Sequence, residues 1–320
     1  MSLLDSESVY KPFHYPKAYD YWKLQQQLHW LPEEVPMADD VKDWKKTLTE
    51  AEKHLLTQIF RFFTQADIEV NNCYMRHYSR VFKPTEVQMM LACFSNMETI
   101  HIDAYSHLLD TLGMPEIEYS AFLQYKEMKG KYDYMQQFNV DSKEDIAKTL
   151  AVFGAFTEGL QLFASFAMLL NFQRFGKMKG MGQIIAWSVR DETLHTSAII
   201  WLFKMFISEN PEIWNEKLIN FLYEACRTII EHEDAFIDLA FGFEGAIEGM
   251  TASDIKQYIR YVGDRRLVQL GLREIYKIER NPLPWLDEIL NAPEHTNFFE
   301  NRVTEYAKAA TKGTWEEAFS

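Results

Sequence analysis

Turn-forming and cross-linking residues are scarce in this chain of 320 residues, which has 13 glycines, 10 prolines and 3 cysteines. So few breakers argue against a protein of many short strands and favour long helices. Cys73, Cys93 and Cys226 have no CxxC spacing and no pairing pattern. Each falls in an apolar helical run, so a buried, reduced thiol is expected at all three, as suits a reducing cytoplasm. The opening MSLLDSESVYKPF has neither a basic n-region nor an apolar h-region, so no signal peptide is expected. No stretch of about 18 uninterrupted apolar residues occurs, so no transmembrane helix is expected. Positive charge is in deficit, with 33 Lys and Arg against 47 Asp and Glu and a net charge of −14. An acidic surface argues against nucleic acid or an anionic membrane as a partner, while leaving room for a nucleotide in a local pocket.

Hydrophobic residues, in contrast, make up 47% of the chain and aromatics 15%, enough for a sizeable core. Residues 1–45 read as an irregular segment, with Pro12, Pro16, Pro32 and Pro36 spaced through aromatics. A helical domain is expected over 46–285 and a tail over 286–320. Thr49-x-x-Glu52 is a capping box that opens a long helix. Its apolar face runs Leu56, Phe60, Phe63, Asp67, Val70. After the break at Phe82-Lys83-Pro84, a second stripe reads Val87, Leu91, Phe94, Glu98, His101, Tyr105, Leu108, with alternating steps of four and three. A third runs Ala151, Gly154 or Ala155, Glu158, Leu162, Ser165, Leu169. A fourth, after the glycine-rich FGKMKGMG turn, runs Ile185, Ser188, Glu192, His195, Ile199, Leu202. Helical patterning continues to about 280, and no β-hairpin signal is evident.

Charged residues on core stripes require an explanation, because an unpaired buried carboxylate is costly. In chain order the stripes carry Asp67, Glu98-x-x-His101, Glu158 and Glu192-x-x-His195. One ExxH pair is weak, since about one is expected by chance among nine histidines. Two pairs, each preceded by a single carboxylate and each group on its own helix, form the ligand set of ferritin-like dimetal carboxylate bundles, with Asp in place of one Glu. The expected fold is therefore an all-α, ferritin-like helical bundle with additional helices. Two metal ions per chain are expected, with iron favoured and manganese as the alternative, since oxygen donors with only two nitrogens disfavour zinc and copper. Tyr105, one turn beyond His101, reads on its own as a core tyrosine. Asp191 reads either as a solvated surface residue or as a carboxylate orienting a ligand histidine. Leu162 and Phe166 read as a dry wall beside the metals.

The motifs WLPEEVP at 30–36, ETIHIDAY at 98–105, TEGLQLFASFA at 157–167, SVRDETLH at 188–195, GDRRLVQLGL at 263–272 and FFENRVTEY at 298–306 span most of the chain. With them the sequence resembles the small, radical-generating subunit of class I ribonucleotide reductase, tyrosyl-radical type. The resemblance implies that Asp67, Glu98, His101, Glu158, Glu192 and His195 are metal ligands and that O₂ is activated between them. It implies a stable radical on Tyr105, a transfer route through His101, Asp191 and Trp30, and a tail tyrosine, Tyr306, that hands the oxidising equivalent to the large subunit. It also implies a homodimer, a cytoplasmic setting, and docking of the large (α) subunit by the C-terminal TWEEAFS, with Trp315 and Phe319 as anchors. Ribonucleoside-diphosphate reduction would then occur on the partner chain. The rival readings on the same ligands are a ferritin-like iron store and a ligand-binding dimetal oxidase.

Overall fold

The computed structural model of the chain describes residues 2–6 and 8–290. Contacts divide the chain at Pro282/Leu283. The second unit, in its described part, holds one short helix, Pro284–Leu290. Tyr306, Trp315 and Phe319 lie outside the described residues.

Seven longer helices build the first unit: α1 (Pro16–Gln27), α2 (Glu50–Asn72), α3 (Thr85–Leu112), α4 (Lys143–Arg174), α5 (Lys179–Glu209), α6 (Glu216–Phe241) and α7 (Ala252–Gln269). Their starts follow local chemistry. Thr49 and Glu52 form the expected reciprocal cap on α2, with Glu52 N–H donating to Thr49 Oγ1 at 3.2 Å and Thr49 N–H to Glu52 Oε2 at 2.8 Å. Ser142 caps α4 by accepting from Asp145 N–H. Asp40 caps α5 from a distance in sequence, both of its oxygens accepting backbone N–H groups, from Gly180 and Met181 at 2.8 Å each. Gly113, at φ 73°, ends α3 in the left-handed conformation.

Helices α2, α3, α5 and α4 pack as a closed ring, α2 on α3, α3 on α5, α5 on α4 and α4 back on α2. The short turn between α4 and α5 makes them an antiparallel hairpin. A long crossover, carrying the short helices Glu118–Ala121 and Lys126–Met135, joins α3 to α4. This is the ferritin-like connectivity. Every residue of the four predicted stripes is buried. The stripes face inward because burying a Leu or Phe side chain contributes about 1.5–3 kcal/mol. Helix α4 is long and apolar enough to cross a membrane by length and composition, but its apolar window lies wholly inside the bundle.

Three expectations need correction. Residues 1–45 are not irregular throughout: Pro16 sits at the first position of α1, where its missing N–H and fixed φ favour a helix start. Helix α1 packs on α3 and α5. In the first unit the last helix ends at Gln269 rather than near 280, because Asp264 draws the following segment back, accepting N–H groups from Ile275, Tyr276 and Ile278. A two-residue hairpin, Ala246–Ile247 with Met250–Thr251, turns through Gly249 at φ 74°.

Candidate metal centre

The bundle brings all six predicted ligands together. Asp67 comes from α2, Glu98 and His101 from α3, Glu158 from α4, and Glu192 and His195 from α5. Each is at most 2% exposed. Their donor atoms form two sets, Asp67 with Glu98 and His101, and Glu98 with Glu158, Glu192 and His195, each set having its atoms within 4.8 Å of one another. Glu98 belongs to both sets, so it lies between two cation positions. Both imidazoles turn Nδ1 toward the carboxylates. His101 Nδ1 is 3.4 Å from Glu98 Oε2 and 3.2 Å from Glu192 Oε1. His195 Nδ1 is 3.0 Å from Glu98 Oε1 and 3.6 Å from Glu158 Oε1.

The donor set fits a pair of divalent ions. Four carboxylates and two neutral imidazoles carry the charge that two such cations cancel. Asp67 Oδ2, Glu98 Oε1, Glu192 Oε2 and His195 Nδ1 are buried without a hydrogen bond, an arrangement the protein groups alone do not explain. The 3.0 Å approach of His195 to Glu98 is therefore close in distance but lacks hydrogen-bond geometry. Electrostatics agree. Burial, reinforced by the Glu98 charge, pushes Asp67 up to about 8 and Glu192 well above the carboxylate range. Burial also raises Glu158. At His195 burial opposes the charged ring, but Glu158 and Glu98 outweigh it and raise the imidazole to about 10. Protons are thus held at Asp67, Glu158, Glu192 and His195, where metal would compete for the same atoms, while at Glu98 burial is outweighed by His101 and His195, which hold the carboxyl below its ordinary value.

The Nε2 atoms face outward to fixed partners. His101 Nε2 lies 3.3 Å from Asp191 Oδ2, which also accepts the Trp30 indole N–H at 2.8 Å. Burial works against the Asp191 charge, yet His101, Arg190 and Trp30 hold its carboxyl below the ordinary value. His195 Nε2 lies 3.1 Å from Gln25 Oε1, and Gln25 Nε2 donates to Asp191 Oδ1 at 3.2 Å. A carboxylate only accepts, so Asp191 dictates which end of the Gln25 amide meets His195. With Nε2–H donated outward, each ring has its Nδ1 lone pair available for a metal.

Tyr105 lies in a dry aromatic pocket, 4.7 Å from the Phe63 ring, which in turn packs on Phe166. Burial raises its phenol well above the ordinary value. Leu162 is buried as expected. Two polar residues beside the ligands escaped sequence reasoning. Gln25 lies in a segment read as irregular. Tyr74, which donates to Glu158 Oε1 at 2.7 Å, sits four residues after Val70 and so continues the α2 stripe, a signal that was available.

A family model described as "Ribonucleotide reductase, small chain" matches residues 7–282. The chain is 46% identical to "Probable ribonucleoside-diphosphate reductase small subunit 376L" of Invertebrate iridescent virus 6, over 100% of this chain and 99% of that one. This chain belongs to the ribonucleotide reductase small-chain family. It is also 31% identical to the ribonucleoside-diphosphate reductase subunit beta of Chlamydia pneumoniae, over 93% of this chain and 89% of that one. Among solved structures, the ribonucleotide reductase R2 subunit from Clostridium botulinum superposes with a TM-score of 0.84 at 24% identity, covering 91% of this chain and 94% of that one. That likeness bears on the fold, which is the helical bundle of the small-chain family.

Proposed function

We propose that this chain is the radical-generating small subunit of a ribonucleoside-diphosphate reductase. One observation carries the reading: the two ligand sets that share Glu98 adjoin a continuous hydrogen-bonded line from His101 through Asp191 to Trp30. Asp67, Glu98 and His101 would hold one metal ion, and Glu98, Glu158, Glu192 and His195 the other. The hard donor set favours an iron pair, with manganese as the alternative. When bound, the pair supplies O₂ activation and the oxidising power to take an electron from a nearby phenol.

The remaining work falls to the chain. Tyr105 gives up a hydrogen atom and holds the unpaired spin, and the Phe63 and Phe166 rings keep water from it. Asp191 and Gln25 keep the Nε2 protons in place and so fix the ligand tautomers. Asp191 also holds the Trp30 N–H, so electron and proton positions along the line are set before turnover. Trp30 passes the oxidising equivalent outward. Tyr306, outside the described residues, is the proposed next carrier, and the tail with Trp315 and Phe319 the docking segment for the large subunit. The ribonucleotide is reduced on that subunit. A homodimer in the cytoplasm is the proposed working form, and three buried free thiols suit that compartment. An iron store on the same ligands would have no use for an indole tied to the carboxylate behind a ligand histidine.

The test is EPR on protein loaded anaerobically with Fe(II), exposed to O₂ and frozen, beside Tyr105→Phe. A tyrosyl radical in the native protein that is absent from the variant is the expected result. Two bound metals without a radical would redirect the reading to manganese loading or an oxidase, and absence of two-metal binding would remove it.

A further inference from the structure

Besides Tyr105, a second phenol reaches the centre, that of Tyr74. The Tyr74 hydroxyl donates to Glu158 Oε1 at 2.7 Å. Its ring stands edge-on to the ligand His195 and to Phe94, with centroids 6.1 Å away in both cases. Tyr74 and Glu158 are each 1% exposed, so no water competes for this bond. Both residues lie on π-helical turns, Cys73–Tyr78 and Ala151–Gln161. Such turns displace side chains from the α-helical register and recur at functional sites. Tyr74 follows Asp67 by seven residues, two turns along one stripe, so the Glu50–Tyr78 stretch presents to the centre both a ligand carboxylate and a phenol.

Glu158 has a flexible side chain and several lone pairs, so its backbone alone does not decide how its oxygens face the other ligands. Two contacts restrict it. Arg266 Nε donates to the carbonyl of the next residue, Gly159, at 2.6 Å. A Cβ at Gly159 would lie 2.7 Å from that same Nε, so only glycine admits the contact. The backbone is thus held from the α7 side and the carboxylate by the phenol. We propose that Tyr74 is a positioning residue that fixes Glu158 in its metal-binding orientation beside Glu98, Glu192 and His195. The inference rests on the dimetal reading above. It is asymmetric, because Glu158 belongs to only one of the two ligand sets, so Tyr74 acts on one metal position of the two.

The experiment is a titration of metal-free protein with Mn(II), following the EPR signal of the free ion, for the native chain, Tyr74→Phe and Tyr78→Phe. Tyr78 is the control: it is buried in the same π-helical turn, 5.6 Å from the Tyr74 ring, but bonds to the Thr149 carbonyl and to no ligand. Circular dichroism establishes that each variant is folded. The native chain should bind two ions. Tyr74→Phe should weaken one of them by about 10–100-fold, as loss of a partner behind a ligand does, and leave the other unchanged. Tyr78→Phe should bind as the native chain does. Unchanged or tighter binding by Tyr74→Phe overturns the inference, as does equal weakening by both variants. Failure of the native chain to bind two ions is a different outcome, and it overturns the dimetal reading itself.

Discussion

Asp191→Asn should weaken the metal position that Asp191 does not touch. The native carboxylate meets donors from four residues. Oδ2 accepts from Trp30 and faces His101 Nε2, while Oδ1 accepts from Gln25 Nε2 and Arg190 Nη2, each at 3.2 Å. Asparagine has one acceptor and one NH₂, so at one end two donors meet a donor. Trp30 is 1% exposed and has no water to turn to, so the amide oxygen should take that end. Arg190 is 21% exposed and can swing outward, but Gln25 is fully buried and must flip. A flipped Gln25 presents its NH₂ to His195 Nε2. That ring must then hold its proton on Nδ1, the nitrogen needed for the metal. A buried donor left unsatisfied costs about 1–3 kcal/mol, which covers the 10–100-fold affinity loss typical of such partners. The assay is the same Mn(II) titration, run on Asp191→Asn, Gln25→Leu and the double variant. Both single variants should weaken the His195 position, and the double should lose much less than the sum, because one relay carries both effects. Loss confined to the His101 position, with Gln25→Leu binding normally, would refute the relay.

Tyr306→Phe and Trp30→Phe should each keep two metals and the Tyr105 radical by EPR yet lose nucleotide reduction when assayed with a purified large subunit; surviving turnover would remove that residue from the route. Metal-free protein should lose stability as pH rises. A folded Asp67 raised to about 8 keeps a proton that the unfolded chain has released, and the stabilisation from a His195 raised to about 10 fades as pH climbs through that value. Metals replace those protons, so the gain in Tm on Mn(II) loading should grow from about pH 6 to about pH 9 by scanning calorimetry. Away from the centre, Lys131 and Glu233 form a fully buried ion pair at 2.5 Å, with Lys131 Nζ 3.5 Å from the Phe62 ring centroid. Lys131→Met leaves Glu233, already raised by burial to about 7, to bind a proton. Removing one partner of a buried ion pair costs about 3–5 kcal/mol. Urea unfolding at pH 7 should show that loss, and adding Glu233→Leu should recover most of it.

What the sequence made legible, and what it did not, follows from how each residue reaches the centre. The six proposed ligands stood out because they sit on the buried faces of four helices, and a buried face leaves a period of three and four in the chain. The partners behind them leave no such mark. Gln25 reaches His195 through the packing of α1 on α3 and α5, and nothing in YWKLQQQLHW distinguishes Gln25 from Gln26 or Gln27. Trp30 and Tyr306, the proposed electron carriers, could be singled out only by family resemblance, since that role requires proximity to its neighbours and not a place in a repeat. The π-helical segment of α4 lies between these cases. Its stripe could be drawn through either Gly154 or Ala155, and that ambiguity falls inside Ala151–Gln161, where the helix takes in its extra residue. A uniform step of three or four cannot follow such a turn, so a stripe that must be drawn twice marks a register change. Here the change falls at the helix that carries Glu158, the proposed ligand whose carboxylate meets Tyr74 and whose neighbour Gly159 meets Arg266.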